Sequence, residues 1–180
     1  MLGVRAPFLL LSPILICIGG SLAYRQGFFQ PVHFALAMAG LTLLHVSVNT
    51  LNEYFDYKTG VDLRTVKTPF SGGSGMLPAS LLQPSAVLKL GLICFGAAAV
   101  VGCYFLAVVG LILAPILALG VLFTLGYTQF LARVGLGEVA AGLGLGALPV
   151  VGAYLVHTGF YTADVFQAAV PPGILTFNLG

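Results

Sequence analysis

The chain has 180 residues, of which 59% are hydrophobic and only 7% charged, and its mean hydropathy is +1.07. Soluble domains carry roughly 25% charged residues, so this composition argues against a water-soluble fold. The net charge is only +2, and no nucleic-acid partner is expected.

Apolar runs recur at about the length needed to cross a bilayer, roughly 20 residues each. They fall at about 8–24, 31–57, 86–109, 111–130 and 136–156, with another starting near 173. Barrel strands alternate apolar and polar residues, whereas Val87 to Val109 is apolar all round. The expected fold is all-α, a polytopic transmembrane helix bundle forming a single domain over 1–180 in the lipid bilayer. It has five complete spans and the start of a sixth.

Arg5 precedes the first run, Pro13 interrupts it, and no small-x-small cleavage site closes it. It is read as a retained span. The second run ends in Asn49-Thr50-Leu51-Asn52-Glu53-Tyr54-Phe55-Asp56. At 3.6 residues per turn, Thr42, His45, Asn49, Asn52, Glu53 and Asp56 project within about a third of the circumference. Lys58 and Asp62 continue this polar stripe into the longest connection, about 58–85, read as a functional loop. That loop also holds Arg64, Lys67 and Ser71-Gly72-Gly73-Ser74-Gly75.

The connection around Gln129 to Leu136 is short and carries Arg133, with Glu138 just inside the next helix. In the fifth run Gly142 and Gly146 suggest close helix packing, with Gly144 between them. Pro115 and Pro149 are expected to kink their helices. The stretch from His157 to Pro172 reads as an outer loop with one acid, Asp164, and no chemistry. Cys17, Cys94 and Cys103 lie inside apolar runs without metal-ligand spacing, and no disulfide framework is implied.

Cytoplasmic loops are enriched in Lys and Arg. Alternating the spans puts Arg5, Lys58, Arg64, Lys67, Lys89 and Arg133 on one face and only Arg25 on the other. The first face is therefore read as cytoplasmic, and the acidic stretch ends there.

Ionisable groups at membrane depth are costly and usually serve ions or substrates. Two amides with carboxylates suit a hard divalent cation, and Mg²⁺ is typically held by one or two carboxylates together with substrate phosphates. A magnesium-diphosphate site on Asn52, Asp56 and Asp62 is the natural inference. Other readings stay open at single positions. His45 reads first as a hydrogen bond between helices. Glu53 could join the cluster or point to the headgroups. Gly72, Gly73 and Gly75 fit a flexible turn as well as a phosphate cradle, and Arg64 and Lys67 serve a polyphosphate or mark topology.

Asn52-Glu53-Tyr54-Phe55-Asp56-Tyr57-Lys58-Thr59-Gly60-Val61-Asp62 resembles the first aspartate-rich motif of the UbiA superfamily of intramembrane prenyltransferases. Ser71 to Gly75, Tyr127-Thr128-Gln129, Gly135-Leu136-Gly137-Glu138, Pro149 and Gly152-Ala153-Tyr154 look most like the branch that prenylates 1,4-dihydroxy-2-naphthoate. Two departures stand out. Glu53 occupies a position that is commonly Asp in the family. The second aspartate-rich motif, expected at the end of the sixth helix of a nine-helix fold, has no counterpart before Gly180, which suggests a C-terminally truncated chain.

The resemblance implies Mg²⁺-dependent transfer of a polyprenyl group from polyprenyl diphosphate to an aromatic acceptor, in menaquinone biosynthesis, at the cytoplasmic face of a bacterial or archaeal membrane. It assigns Asn52, Asp56 and Asp62 to metal and catalysis. Asn49, Lys58, Arg64, Lys67, Ser74, Tyr127 and Arg133 are assigned to substrate, with Asn49 and Tyr127 lining the pocket. The alternatives are another acceptor within the superfamily (4-hydroxybenzoate, homogentisate, a chlorin or a lipid), or a non-catalytic cation-binding membrane protein or fragment. An ion path would need polar groups across the whole membrane, and Phe34 to Leu41 is apolar.

Overall fold

Backbone amides that cannot reach water must pair within their own segment, and the described part of each expected run is helical in the computed structural model. The structure describes residues 10–60, 77, 79–126 and 137–178. Helix α1 spans Leu11–Arg25, α2 Pro31–Thr59 and α3 Pro84–Val109. A short 3₁₀ turn, Leu111–Leu113, leads into α4, Ala114–Gly126. The fifth span comprises α5, Gly137–Ala141, a π-helical stretch Gly142–Ala147 and α6, Leu148–Thr158. Helix α7 covers Ala163–Phe177. No strand occurs among the described residues.

Among the described residues, three stretches are long and apolar enough to cross a membrane by themselves: Pro31–Thr59, Pro84–Val109 and Glu138–Thr158. The first and fourth spans are apolar over Leu11–Arg25 and Leu111–Leu125, and each borders residues outside the description. Of these three the fifth span is the most enclosed, with 56% of its apolar window buried against 17% for α3. It is therefore the bundle's axis, while α3 turns most of its surface outward. Tyr154, Leu155, Val150 and Val165 are fully buried around it, beside Leu15 and Ala23 of α1.

Small residues set the helix spacing. A Cβ on Gly19 would lie 2.5 Å from the Val150 carbonyl oxygen, so α1 meets the axis at backbone contact. The expected pair in the fifth span behaves likewise toward α7. A Cβ on Gly142 would meet the Gly173 oxygen at 3.0 Å, and one on Gly146 the Pro172 oxygen at 2.6 Å. Gly144 faces Phe123 of α4 instead. Pro149 has no N–H to return to the preceding turn, and that turn is wound as a π-helix, a common accommodation of such a defect.

Helix α7 corrects one expectation. The expected outer loop, His157 to Pro172, shrinks to a short turn because helix resumes at Ala163. Thr162 caps it, its hydroxyl accepting from the Val165 amide at 3.4 Å, and Asp164 sits in the first turn, where a carboxylate favours the helix dipole. Pro171 and Pro172 lie inside this helix rather than before it. The Thr176 hydroxyl donates to the Pro172 carbonyl one turn back at 2.8 Å.

The bundle end carrying Gln26, Gln30 and His157 is closely sewn. Tyr154 OH donates to Gln26 Oε1 at 2.5 Å, and Gln26 Nε2 to Asp164 Oδ2 at 3.4 Å. The Gln30 amide donates to His157 Nδ1 at 3.1 Å, and His33 Nδ1 donates to the Val156 carbonyl at 2.5 Å. These bonds join α1, α2, the fifth span and α7 at one end.

Candidate diphosphate-binding site

The polar stripe occupies the opposite end of α2. This helix runs unbroken to Thr59 and stops at Gly60, which adopts the left-handed conformation (φ 75°) that glycine accepts at a helix C-terminus. The Thr59 hydroxyl closes the last turn by donating to the Phe55 carbonyl at 2.9 Å. The residues that follow, from Val61, lie outside the description. Unpaired carbonyls at a C-terminus carry partial negative charge, so Asp56 stands where a cation is attracted from two sources.

Asn49, Asn52 and Asp56 are half-buried, and Lys58 is exposed in the last turn. Asn52 and Asp56 are four residues apart, neighbours on one face with Cβ atoms about 5–6 Å apart. Glu53 is buried, at 6% exposure, which settles its direction: it points into the bundle and not to the headgroups. Asp62, Arg64, Lys67, Ser74, Tyr127 and Arg133 lie outside the described residues, as does the glycine-rich piece.

His45, one turn deeper than Asn49, is 3% exposed and shares a 2.6 Å hydrogen bond with Ser12 of α1. Its expected role as a tie between helices is what the structure shows. Ser12, fully buried, escaped notice in the sequence because a lone serine in an apolar run has no pattern around it. Thr50 is another unannounced contact. It is buried against α3, where a Cβ on Gly91 would come within 2.8 Å of its hydroxyl. That close approach fixes α3 beside the polar end of α2.

A cavity of about 430 Å³ opens between α2, α3, α4 and the fifth span. Its walls are almost wholly apolar, with Leu41, Leu44, Phe95, Leu117 and Pro149 among them. Spans two and four run in the same direction because α3 returns between them. Leu44 and Val121, the last residues of α2 and α4 to line the cavity, therefore mark its end nearest the polar stripe.

Do these residues fit a magnesium ion? Asn52 and Asp56 offer hard oxygen donors of the kind Mg²⁺ prefers, with phosphate and water completing its octahedron. Among the described residues no three His, Cys, Asp or Glu side chains are grouped as a metal site. The fit is that of an ion shared with a bound diphosphate, not of a cage built wholly from protein.

Comparison with known proteins bears on the family of the chain. The chain is 28% identical over 144 residues to the 1,4-dihydroxy-2-naphthoate octaprenyltransferase of Bacillus subtilis (strain 168), covering 73% of this chain and 42% of that protein. It is 26% identical over 166 residues to the enzyme of the same name from Escherichia coli (strain K12), covering 89% of this chain and 54% of that one. The chain thus spans about half the length of the curated relatives it matches. No solved structure matches it significantly. Residues 10–180 match the profile of the UbiA prenyltransferase family, nearly the whole chain, and the chain belongs to that family.

Proposed function

We propose that this chain supplies the donor-diphosphate half of a membrane prenyltransferase. The enzyme transfers a polyprenyl group from polyprenyl diphosphate to an aromatic acceptor, 1,4-dihydroxy-2-naphthoate, a step of menaquinone biosynthesis. The observation that carries this reading is the half-buried face of Asn49, Asn52 and Asp56 at the capped end of α2, above an apolar cavity. In a member of this family such a face has an evident use.

Asn52 and Asp56, joined by Asp62, would hold Mg²⁺ together with the diphosphate end. Lys58, Arg64, Lys67, Ser74 and Arg133 bind and neutralise the diphosphate, with Asn49 and Tyr127 lining the pocket. When bound, Mg²⁺ supplies Lewis-acid stabilisation of the charge that grows on the leaving diphosphate. The carbon–oxygen bond breaks with its electron pair going to the diphosphate. The ring's electrons then form the new carbon–carbon bond to the allylic carbon, and the ring proton is lost. The surrounding helices exclude water that would quench the cation. The apolar cavity receives the isoprenoid tail, and the site faces the cytoplasm, where the basic residues gather.

The test is turnover of labelled polyprenyl diphosphate with 1,4-dihydroxy-2-naphthoate by membranes containing the full-length protein. Activity is expected to require Mg²⁺ and to fall about a hundredfold or more in Asp56→Asn, the loss expected when several kcal/mol of transition-state stabilisation is removed. Undiminished turnover by both Asp56→Ala and Asp62→Ala would reject the site.

A further inference from the structure

Glycines inside membrane helices usually let two helices approach closely. Most glycines lining the apolar cavity fit that account. A Cβ would come within 3.0 Å of Val101 at Gly40, 2.9 Å of Phe123 at Gly144 and 3.3 Å of Ile116 at Gly152. Gly120 of α4 does not fit it. A Cβ there would find nothing within 4 Å, its φ lies outside the left-handed region, and it stands in mid-helix, where glycine is among the least favourable residues. The Thr124 hydroxyl donates to the Gly120 carbonyl at 2.7 Å, a bond indifferent to the side chain. What the missing side chain leaves behind is open space, at a residue that lines the cavity.

We propose that Gly120 is a specificity-determining residue for the length of the isoprenoid chain, its bare backbone holding open the end of the cavity nearest the diphosphate site. This rests on the functional reading above. Gly120 adjoins Val121 and so lies at the same end of the cavity as Leu44. Asn52 is eight residues from Leu44, roughly 12 Å along α2, a distance that about two isoprene units cover. Units beyond these pass Gly120 on their way into the cavity. A side chain at 120 therefore obstructs long donors and leaves short ones room.

The experiment compares the full-length parent, Gly120→Ala and Gly120→Leu with geranyl, farnesyl and geranylgeranyl diphosphates. It measures kcat/KM for each donor and, independently of turnover, equilibrium binding of the same three diphosphates to purified protein. The ratio of geranylgeranyl to geranyl is expected to fall about tenfold in Gly120→Leu and less in Gly120→Ala, in both measurements, as expected for a side chain forced into occupied space. An equal loss for all three donors would make Gly120 a packing residue and overturn the proposal, as would an unchanged ratio. If the parent binds the diphosphates but prenylates no aromatic acceptor, the functional reading fails and the binding ratio still decides the role of Gly120.

Discussion

Replacing Gly19 by alanine adds one methyl group where α1 crosses the axis of the bundle. Its Cβ would lie 2.5 Å from the Val150 oxygen, 2.7 Å from Ala153 Cβ and 2.9 Å from the Tyr154 nitrogen. Two of these three atoms are backbone and cannot rotate away. The helices must part by something approaching 1 Å, and a gap of that order forfeits a quarter to a half of each dispersion contact along the seam. That seam includes the buried Leu15, Ile16, Val151 and Tyr154. Overpacking of this kind costs about 1–3 kcal/mol.

The same substitution at Gly96 of α3 is the internal control, because nothing lies within 4 Å of its Cβ. There alanine relieves the helix of a glycine and is worth about 0.5–1 kcal/mol. Thermal unfolding of the full-length protein in one detergent, followed by loss of helix signal, reads both variants. Gly19→Ala is expected to melt below the parent and Gly96→Ala at or above it. A shift of the same sign and size in both variants would refute the reasoning from helix spacing.

Other outcomes follow from single bonds. Ser12→Ala leaves His45 Nδ1 buried without its partner and is expected to cost about 1–3 kcal/mol in the same melt, a loss restored in part by Ser12→Thr. Tyr154→Phe removes the hydroxyl bonded to Gln26 and is expected to cost about 0.5–1.5 kcal/mol, without changing magnesium dependence, since it lies at the end remote from Asp56. Thr176→Val removes the buried hydroxyl that donates to the Pro172 carbonyl and is expected to lower the melting temperature while leaving the helix content of the folded protein unchanged.

The spans were legible because a 20-residue apolar run admits few interpretations in a bilayer, and the polar face of α2 followed from helical period alone. Partners were not legible. That His45 meets Ser12 depends on which helices are neighbours, a fact that hydropathy does not carry. Helix α7 was missed because Pro171 and Pro172 read as a loop boundary, whereas Thr162 with Asp164 close behind was the usable sign of a helix start. Glu53 was ambiguous at 40° from Asn49 on the wheel, an angle that reaches either the interior or the headgroups until the surrounding helices are placed. The basic and glycine-rich loop was legible only as composition and remains part of the proposal through its chemistry.

The sewn end of the bundle has a mechanical consequence. Where Gln26, Gln30, Tyr154 and Asp164 tie four segments together, α2 is clamped, and its far tip, beside α3 at Thr50, lies beyond those ties. Twenty-nine residues make a lever of about 44 Å, so one degree of tilt at the clamp carries Asp56 sideways by roughly 0.7 Å. Small adjustments at the fastened end are thus magnified at the tip proposed to grip the pyrophosphate.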